Sequence, residues 1–221
     1  MRPSFFASIL SAVTAAVLGA IGVIAPASAG DGYRASIQTI DTADANAMIG
    51  VSWHRGCPVR ISDLRRVELT HWGFDGLRHQ GELIVHKNVA HRVANIFHTL
   101  YSMRFPIRTM LPVDQFGADD NASMAADNTS AFNCRPITGS TSGFSVHSYG
   151  QAIDVNTLEN PYVKGALVQP PAGKPFTNRA TLRPGMIRHG DRVWRAFKTH
   201  GFTWGGDWKS LKDYQHFEIP V

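Results

Sequence analysis

Two short segments constrain this chain more than any other feature, because together they supply a complete set of metal ligands. Residues 145–154 read Ser-Val-His-Ser-Tyr-Gly-Gln-Ala-Ile-Asp, and residues 213–218 read Asp-Tyr-Gln-His-Phe-Glu. His147, Asp154 and His216 offer two imidazoles and one carboxylate. Such a set gives zinc three protein ligands and leaves a fourth position open, which is typical of a catalytic site rather than a structural one.

The local pattern predicts how these ligands come together. Residues 152–156 alternate with the period of a half-buried strand, so that Asp154 points away from the apolar face. In the second segment His216 and Glu218 share one face, and Phe217 lies on the other. Two neighbouring strands of one sheet could therefore present Asp154 and His216 side by side.

Two carboxylates flank His216 in the sequence. Asp213 lies three residues before it, within reach of a water molecule at the metal, and we interpret it as the general base. Glu218 lies two residues after His216 and is interpreted as the hydrogen-bond acceptor that orients the imidazole. The residues thus predict a hydrolase that holds one zinc ion per chain.

The two motifs, Ser-x-His-x-x-Gly-x-Ala-x-Asp and Asp-x-x-His-Phe-Glu, resemble those of the D-alanyl-D-alanine carboxypeptidase-like metallopeptidases, the M15 family. Residues 205–210, Gly-Gly-Asp-Trp-Lys-Ser, are similar to the branch that holds L-alanyl-D-glutamate endopeptidases. The resemblance runs from about residue 83 to residue 221. It implies an α+β fold of the Hedgehog/DD-peptidase-like type, with a central antiparallel sheet flanked by helices and zinc in a cleft.

The resemblance also implies roles for two further residues. Residues 131–135 look like the strand that brings an arginine, here Arg135, to the site. A fixed cation would stabilise the anionic intermediate that water attack on an amide produces, although an ordinary surface salt bridge is the alternative. Ser145 either contacts the substrate or fixes the turn before His147.

The N-terminus predicts export. Residues 1–29 combine Arg2, a long apolar stretch and the small residues Ala27-Ser28-Ala29, which is the pattern of a cleaved secretory signal, with a retained anchor as the alternative. Cleavage leaves 192 of the 221 residues, which we divide into an N-terminal extension, 30–82, and a peptidase domain, 83–221. The expected product is a secreted or periplasmic monomer with no membrane association after cleavage.

Charge and cysteine content fit this setting. The formal charge of +5 falls to +4 when Arg2 is removed, and the remaining charge forms no basic block, so nucleic acid is not an expected partner. Cys57 and Cys134 are the only cysteines. An even pair in an exported chain predicts one disulfide, and thiolate ligation of zinc is disfavoured because the two motifs already hold a full ligand set.

Other segments carry weaker predictions. Residues 88–103 predict a helix whose buried face holds Val93, Ile96 and Leu100 and whose cap is Asn88. The remaining expected elements are strands over 65–74, 82–86 and 108–115, a polar loop over 117–130, a surface excursion over 156–188 and a helix over 191–200.

Two classes of function follow. The first is a zinc peptidase that cuts peptidoglycan stem peptides, at L-Ala-D-Glu according to residues 205–210 or at the terminal D-Ala as the alternative. The second is a zinc-containing cell-wall binding protein without turnover. The presence of Asp213 beside an intact ligand set favours the enzyme.

Overall fold

The computed structural model describes residues 32–137 and 142–221. The predicted signal segment, residues 1–29, lies outside the described residues. None of the described helices is long and apolar enough to span a membrane. The described residues belong to one compact unit that runs to Val221.

The chain contains four α-helices and eleven strands within the described residues, joined by short 3₁₀ segments. The helices are α1 (Thr42–Met48), α2 (Ala90–Ser102), α3 (Asp120–Ala125) and α4 (Arg192–Thr199). The strands are β1 (Ala35–Thr39), β2 (Leu64–Trp72), β3 (Arg78–His86), β4 (Thr109–Met110), β5 (Asn128–Thr129), β6 (Ala152–Asp154), β7 (Tyr162–Lys164), β8 (Leu167–Gln169), β9 (Thr203–Trp204), β10 (Lys212–Asp213) and β11 (His216–Glu218).

The longest sheet has the order β1-β2-β3 and is antiparallel throughout. β2 and β3 form a hairpin around residues 73–77, so the turn is shorter than the sequence predicts and β3 starts at Arg78. The predicted boundary between extension and peptidase domain, at residues 82 and 83, falls inside β3. The proposed extension and domain would therefore share this sheet.

Helix α2 packs its apolar stripe into the main core. Val93, Ile96 and Leu100 are buried, as the helical period predicts. The helix begins at Ala90, however, and the cap position is Val89, which makes no side-chain cap bond. The prediction of Asn88 as the cap was therefore wrong.

The sheet β6-β11-β9 joins the core to the predicted ligands. Phe217 at the centre of β11 is buried, and its ring stacks on that of Phe197 in α4 with 3.8 Å between centroids. Because side chains alternate along a strand, His216 and Glu218 face the opposite way. The core thus fixes which residues of β11 reach the cleft.

The α+β class is confirmed, and the antiparallel strands are distributed over three small sheets. The third of these has the order β10-β7-β8, while β4 and β5 form a separate parallel pair. The helices and antiparallel strands fit the predicted α+β class. The described strands do not, however, form one extended sheet.

Several local predictions differ from the structure. The strand expected over 108–115 is limited to β4 and is followed by a 3₁₀ turn after Pro112. The loop expected over 117–130 contains α3, because the Asp119 carboxylate caps its first backbone N–H groups. Residues 131–135 form no strand. The backbone N–H of Phe132 donates to the Ile84 carbonyl and that of Cys134 donates to the Ser52 carbonyl, in separate parts of the chain.

The predicted surface excursion over 156–188 begins with a buried polar loop. Asn156, Thr157, Glu159 and Asn160 are all buried. Asn160 makes this possible because its side-chain amide donates to the carbonyls of Val155 and Gly185 and satisfies buried backbone groups. The start of this segment is therefore buried, and the prediction of a surface excursion was wrong for these residues.

Cys57 and Cys134 form a disulfide across a sequence separation of 77 residues. In the chain-entropy account, closing a loop of this length stabilises the folded chain by about 4 kcal/mol. We expect a Cys57→Ser, Cys134→Ser double variant to lose free energy of unfolding on this order in denaturant titrations. Unreduced, denatured wild-type protein should show no titratable thiol, and two thiols per chain in exported material would contradict the bridge.

Candidate active site

Strands β6 and β11 hold two of the predicted ligands side by side. They pair antiparallel with His216 directly opposite Asp154. The Nδ1 atom of His216 lies 3.0 Å from Oδ1 of Asp154. The adjacency predicted from the alternating pattern is thus what the strand register produces.

The third predicted ligand comes from a 3₁₀ turn over Val146–Tyr149. The Nε2 atom of His147 lies 3.1 Å from Nδ1 of His216 and 3.3 Å from Oδ2 of Asp154. The turn ends at Gly150, where φ is +67° and an added Cβ would lie 2.6 Å from the backbone nitrogen of His86. A side chain at this position would move the turn and His147 with it.

The remaining ring nitrogens are fixed by acceptors. Nδ1–H of His147 donates to the Ala131 carbonyl at 2.6 Å, and Nε2–H of His216 donates to Oε2 of Glu218 at 3.0 Å. This leaves Nε2 of His147 and Nδ1 of His216 facing the Asp154 carboxylate. The donor atoms lie within 4.8 Å of one another, and ligating histidines characteristically use their second nitrogen in this way. The set fits a divalent metal such as zinc.

The electrostatics of the site match such a role. Burial raises the pKa of Asp154, but the two imidazoles outweigh burial and hold this pKa well below its usual range. Burial lowers the pKa of His216, whereas its hydrogen bonds with Asp154 and Glu218 prevail and raise it to about 10. The hydrogen bond from His216 also lowers the pKa of Glu218. In the metal-free protein a proton on His216 therefore compensates the neighbouring carboxylates.

Asp213 lies at the end of β10 beside this cluster. Its Oδ1 is withdrawn from solvent and has no hydrogen-bond partner among the described residues. Burial raises the pKa of Asp213 to about 7, with the nearby His216 acting in the opposite direction. Gly205 allows the close approach, because a Cβ there would lie 2.6 Å from the Asp213 carbonyl oxygen. A buried, unpartnered carboxylate oxygen is free to accept a proton from a molecule in the cleft.

Residues 138–219 match the family described as D-alanyl-D-alanine carboxypeptidase, which belongs to the M15 peptidases. Over these residues, the chain is similar to the M15 peptidases. The match confirms the resemblance inferred from the two motifs and contains His147, Asp154, Asp213 and His216. It begins later than the predicted residue 83 and leaves Arg135 outside. No solved structure matches the chain.

Arg135 lines the same cleft but is not an isolated cation. Its Nε forms an ion pair with Oδ2 of Asp120, in the first turn of α3. The other Asp120 oxygen accepts from Nδ2 of Asn133 at 2.7 Å. The sequence assigned no specific role to Asp120, because α3 was expected to be a loop.

Ser145 lines the cleft and also caps the turn that carries His147. Its hydroxyl oxygen accepts from the backbone N–H of His147 at 3.4 Å. This hydrogen bond supports the interpretation that Ser145 fixes the turn, while its contact with the substrate stays a prediction.

The cleft has a volume of about 320 Å³. Sequence reasoning assigned no site role to Tyr162 and Gln169, which line the cleft together with Trp208. The Trp208 ring lies 5.4 Å from that of His216. Strands as short as β7 and β8 carry too few residues for a periodic signal, so only the tertiary structure reveals these neighbours.

Proposed function

We propose that this protein is an exported zinc peptidase that hydrolyses amide bonds in peptidoglycan stem peptides, with L-Ala-D-Glu as the preferred bond. The observation that carries the proposal is Asp213, whose unpartnered oxygen lies beside a convergent set of two imidazoles and one carboxylate. A binding protein without turnover has no need of this buried base. The Hedgehog/DD-peptidase-like fold and the division into residues 30–82 and 83–221 belong to the same proposal.

In this proposal one zinc ion is held by Nε2 of His147, the Asp154 carboxylate and Nδ1 of His216. Bound zinc supplies a Lewis acid, which makes water a stronger nucleophile and polarises the scissile carbonyl. Glu218 and the Ala131 carbonyl keep both rings in the required orientation through their hydrogen bonds.

Asp213 then performs the proton transfers. Its carboxylate accepts a proton from the attacking water and delivers it to the nitrogen of the leaving amine. The raised pKa suits this task, because the same group must take up and release a proton near neutral pH. Arg135, oriented by Asp120, contributes positive charge to the cleft where negative charge develops.

A second candidate is removal of the terminal D-Ala. The description of the matched family, D-alanyl-D-alanine carboxypeptidase, favours it, whereas residues 205–210 favour the endopeptidase. Both activities use the same ligands and base, so they differ only in how the cleft holds the peptide. Export through residues 1–29 would place either activity at the cell wall.

Zinc-loaded protein should cleave a peptide with the alternating chirality of a peptidoglycan stem and should leave an all-L peptide of the same length intact. Mass spectrometry of the new termini identifies the bond. A new D-Glu amino terminus indicates the endopeptidase, and released D-Ala indicates the carboxypeptidase. Comparable cleavage of the all-L peptide would instead indicate a general protease and contradict the proposed substrate class.

A further inference from the structure

Three side chains form a row along one wall of the cleft. Asp213 pairs with Tyr162 between β10 and β7, and Tyr162 pairs with Gln169 between β7 and β8. Directly opposite residues of antiparallel strands project on the same face, and all three line the cleft. Tyr162 therefore stands next to Asp213, on the wall that faces the substrate.

The hydroxyl of Tyr162 is available to a ligand. Within residues 32–137 and 142–221, it makes no hydrogen bond to another protein group. Two other donors along the cleft are engaged, since Arg135 is paired with Asp120 and the Gln215 amide donates to the sulfur of Met124. Tyr162 thus brings a neutral, uncommitted donor to a region dominated by charged groups.

The backbone that carries Tyr162 is held firmly. Asn160, two residues earlier, is buried and accepts from the backbone N–H of Ile187 and from Nη2 of Arg179, both at 2.8 Å. Between the two residues, the Pro161 carbonyl accepts from the Tyr214 N–H at 3.4 Å. A donor mounted on such a rigid segment is preorganised, which is the property that electrostatic catalysis requires.

The phenol also keeps its proton. Burial, followed by the charge of Asp213, raises the pKa of Tyr162 above its ordinary value. The group is therefore a hydrogen-bond donor over the whole range of pH in which Asp213 works as a base.

We propose that Tyr162 is a further catalytic residue, whose hydroxyl donates a hydrogen bond to the oxygen that becomes negatively charged when the amide carbonyl is attacked. This inference rests on the proposed peptidase activity. The position suits it, because the attacking water must lie close to Asp213 and the carbonyl oxygen must then lie within reach of a neighbouring donor. Loss of one such donor typically lowers kcat by about 10²–10³-fold.

The test is Tyr162→Phe in the zinc-loaded enzyme, with Tyr214→Phe as the matched control. Tyr214 is a neighbour of Asp213 in sequence, but its ring packs near Trp204 and under Arg179 and does not line the cleft. We expect Tyr162→Phe to lower kcat by about 10²-fold with KM and zinc content unchanged. A phosphinate analogue of the scissile amide should bind more weakly by the factor lost in kcat/KM, and the control should match wild type.

Three results would overturn the role of Tyr162 while wild type remains active. They are an unchanged kcat, a higher KM at unchanged kcat, and a shift of the acid limb of the pH profile that accounts for the whole loss. A higher KM at unchanged kcat would indicate that Tyr162 only binds the substrate. A shift of the acid limb would indicate that Tyr162 acts through Asp213. A zinc-loaded wild type that cleaves no stem peptide overturns the proposed function itself, and this failure is recognisable because it does not depend on the variant.

Discussion

Asp213→Asn should lower kcat for stem-peptide hydrolysis by about 10²–10⁴-fold, while the protein keeps its zinc. Asparagine preserves the shape of the side chain but cannot accept and return the proton. The three proposed ligands are untouched, so metal content measured after dialysis should equal that of wild type. Since a protonated carboxyl is no base, wild-type kcat/KM should also fall as the pH drops below the pKa of Asp213, and the variant should lack this limb.

Glu218→Gln is the matched control for the loss of a carboxylate near His216. Glu218 accepts from Nε2 of His216 at 3.0 Å, so its replacement should weaken zinc retention more than it slows the fully loaded enzyme. Near-normal turnover in Asp213→Asn, together with an inactive but zinc-loaded Glu218→Gln, would show that the two carboxylates have the opposite roles.

His216→Ala should abolish stoichiometric zinc binding. Losing a residue that accepts a hydrogen bond from a metal ligand usually lowers metal affinity by about 10–100-fold. Losing the ligand itself should lower the affinity further. The variant removes the ring that lies between Asp154 and Glu218 and so leaves two of the three protein ligands. Zinc measured after dialysis should fall from about one per chain to a trace.

The matched control is His91→Ala, because His91 is exposed on α2 and lies outside the proposed ligand set. Its zinc content should equal that of wild type. Zinc affinity of wild type should also decrease as the pH is lowered, because the raised pKa of His216 means that a proton must leave before the ring can bind metal. Equal zinc in His216→Ala and wild type would rule out the assigned site.

The convergence of His147, Asp154 and His216 could be predicted from the sequence, because the strand positions follow short-range rules. His216 and Phe217 are neighbours on a strand, so one must face the cleft if the other faces the core. The same local logic predicted the buried face of α2, where a 3.6-residue period extends over more than three turns. A pattern that repeats over several turns is therefore sufficient to predict a helix and its buried face.

The residues that form the walls of the cleft could not be predicted by such reasoning. The partnership of Arg135 and Asp120 depends on α3, a short helix in a stretch whose composition resembles a polar loop. The row that contains Tyr162 depends on the register between strands of two or three residues. The burial of Asn160 depends on carbonyls far along the chain, such as that of Gly185. These features arise from tertiary contacts rather than from local propensity.

The alternation of His216, Phe217 and Glu218 along β11 also restricts how the protein can evolve. Because a strand reverses its faces at every residue, a one-residue insertion that shifted the register would turn Phe217 into the cleft and both polar side chains into the core. The proposed metal binding and the stability of the core would then be lost together. Variation in length is therefore expected in the turns outside β6 and β11, while the spacing between Asp213 and Glu218 should be inherited unchanged.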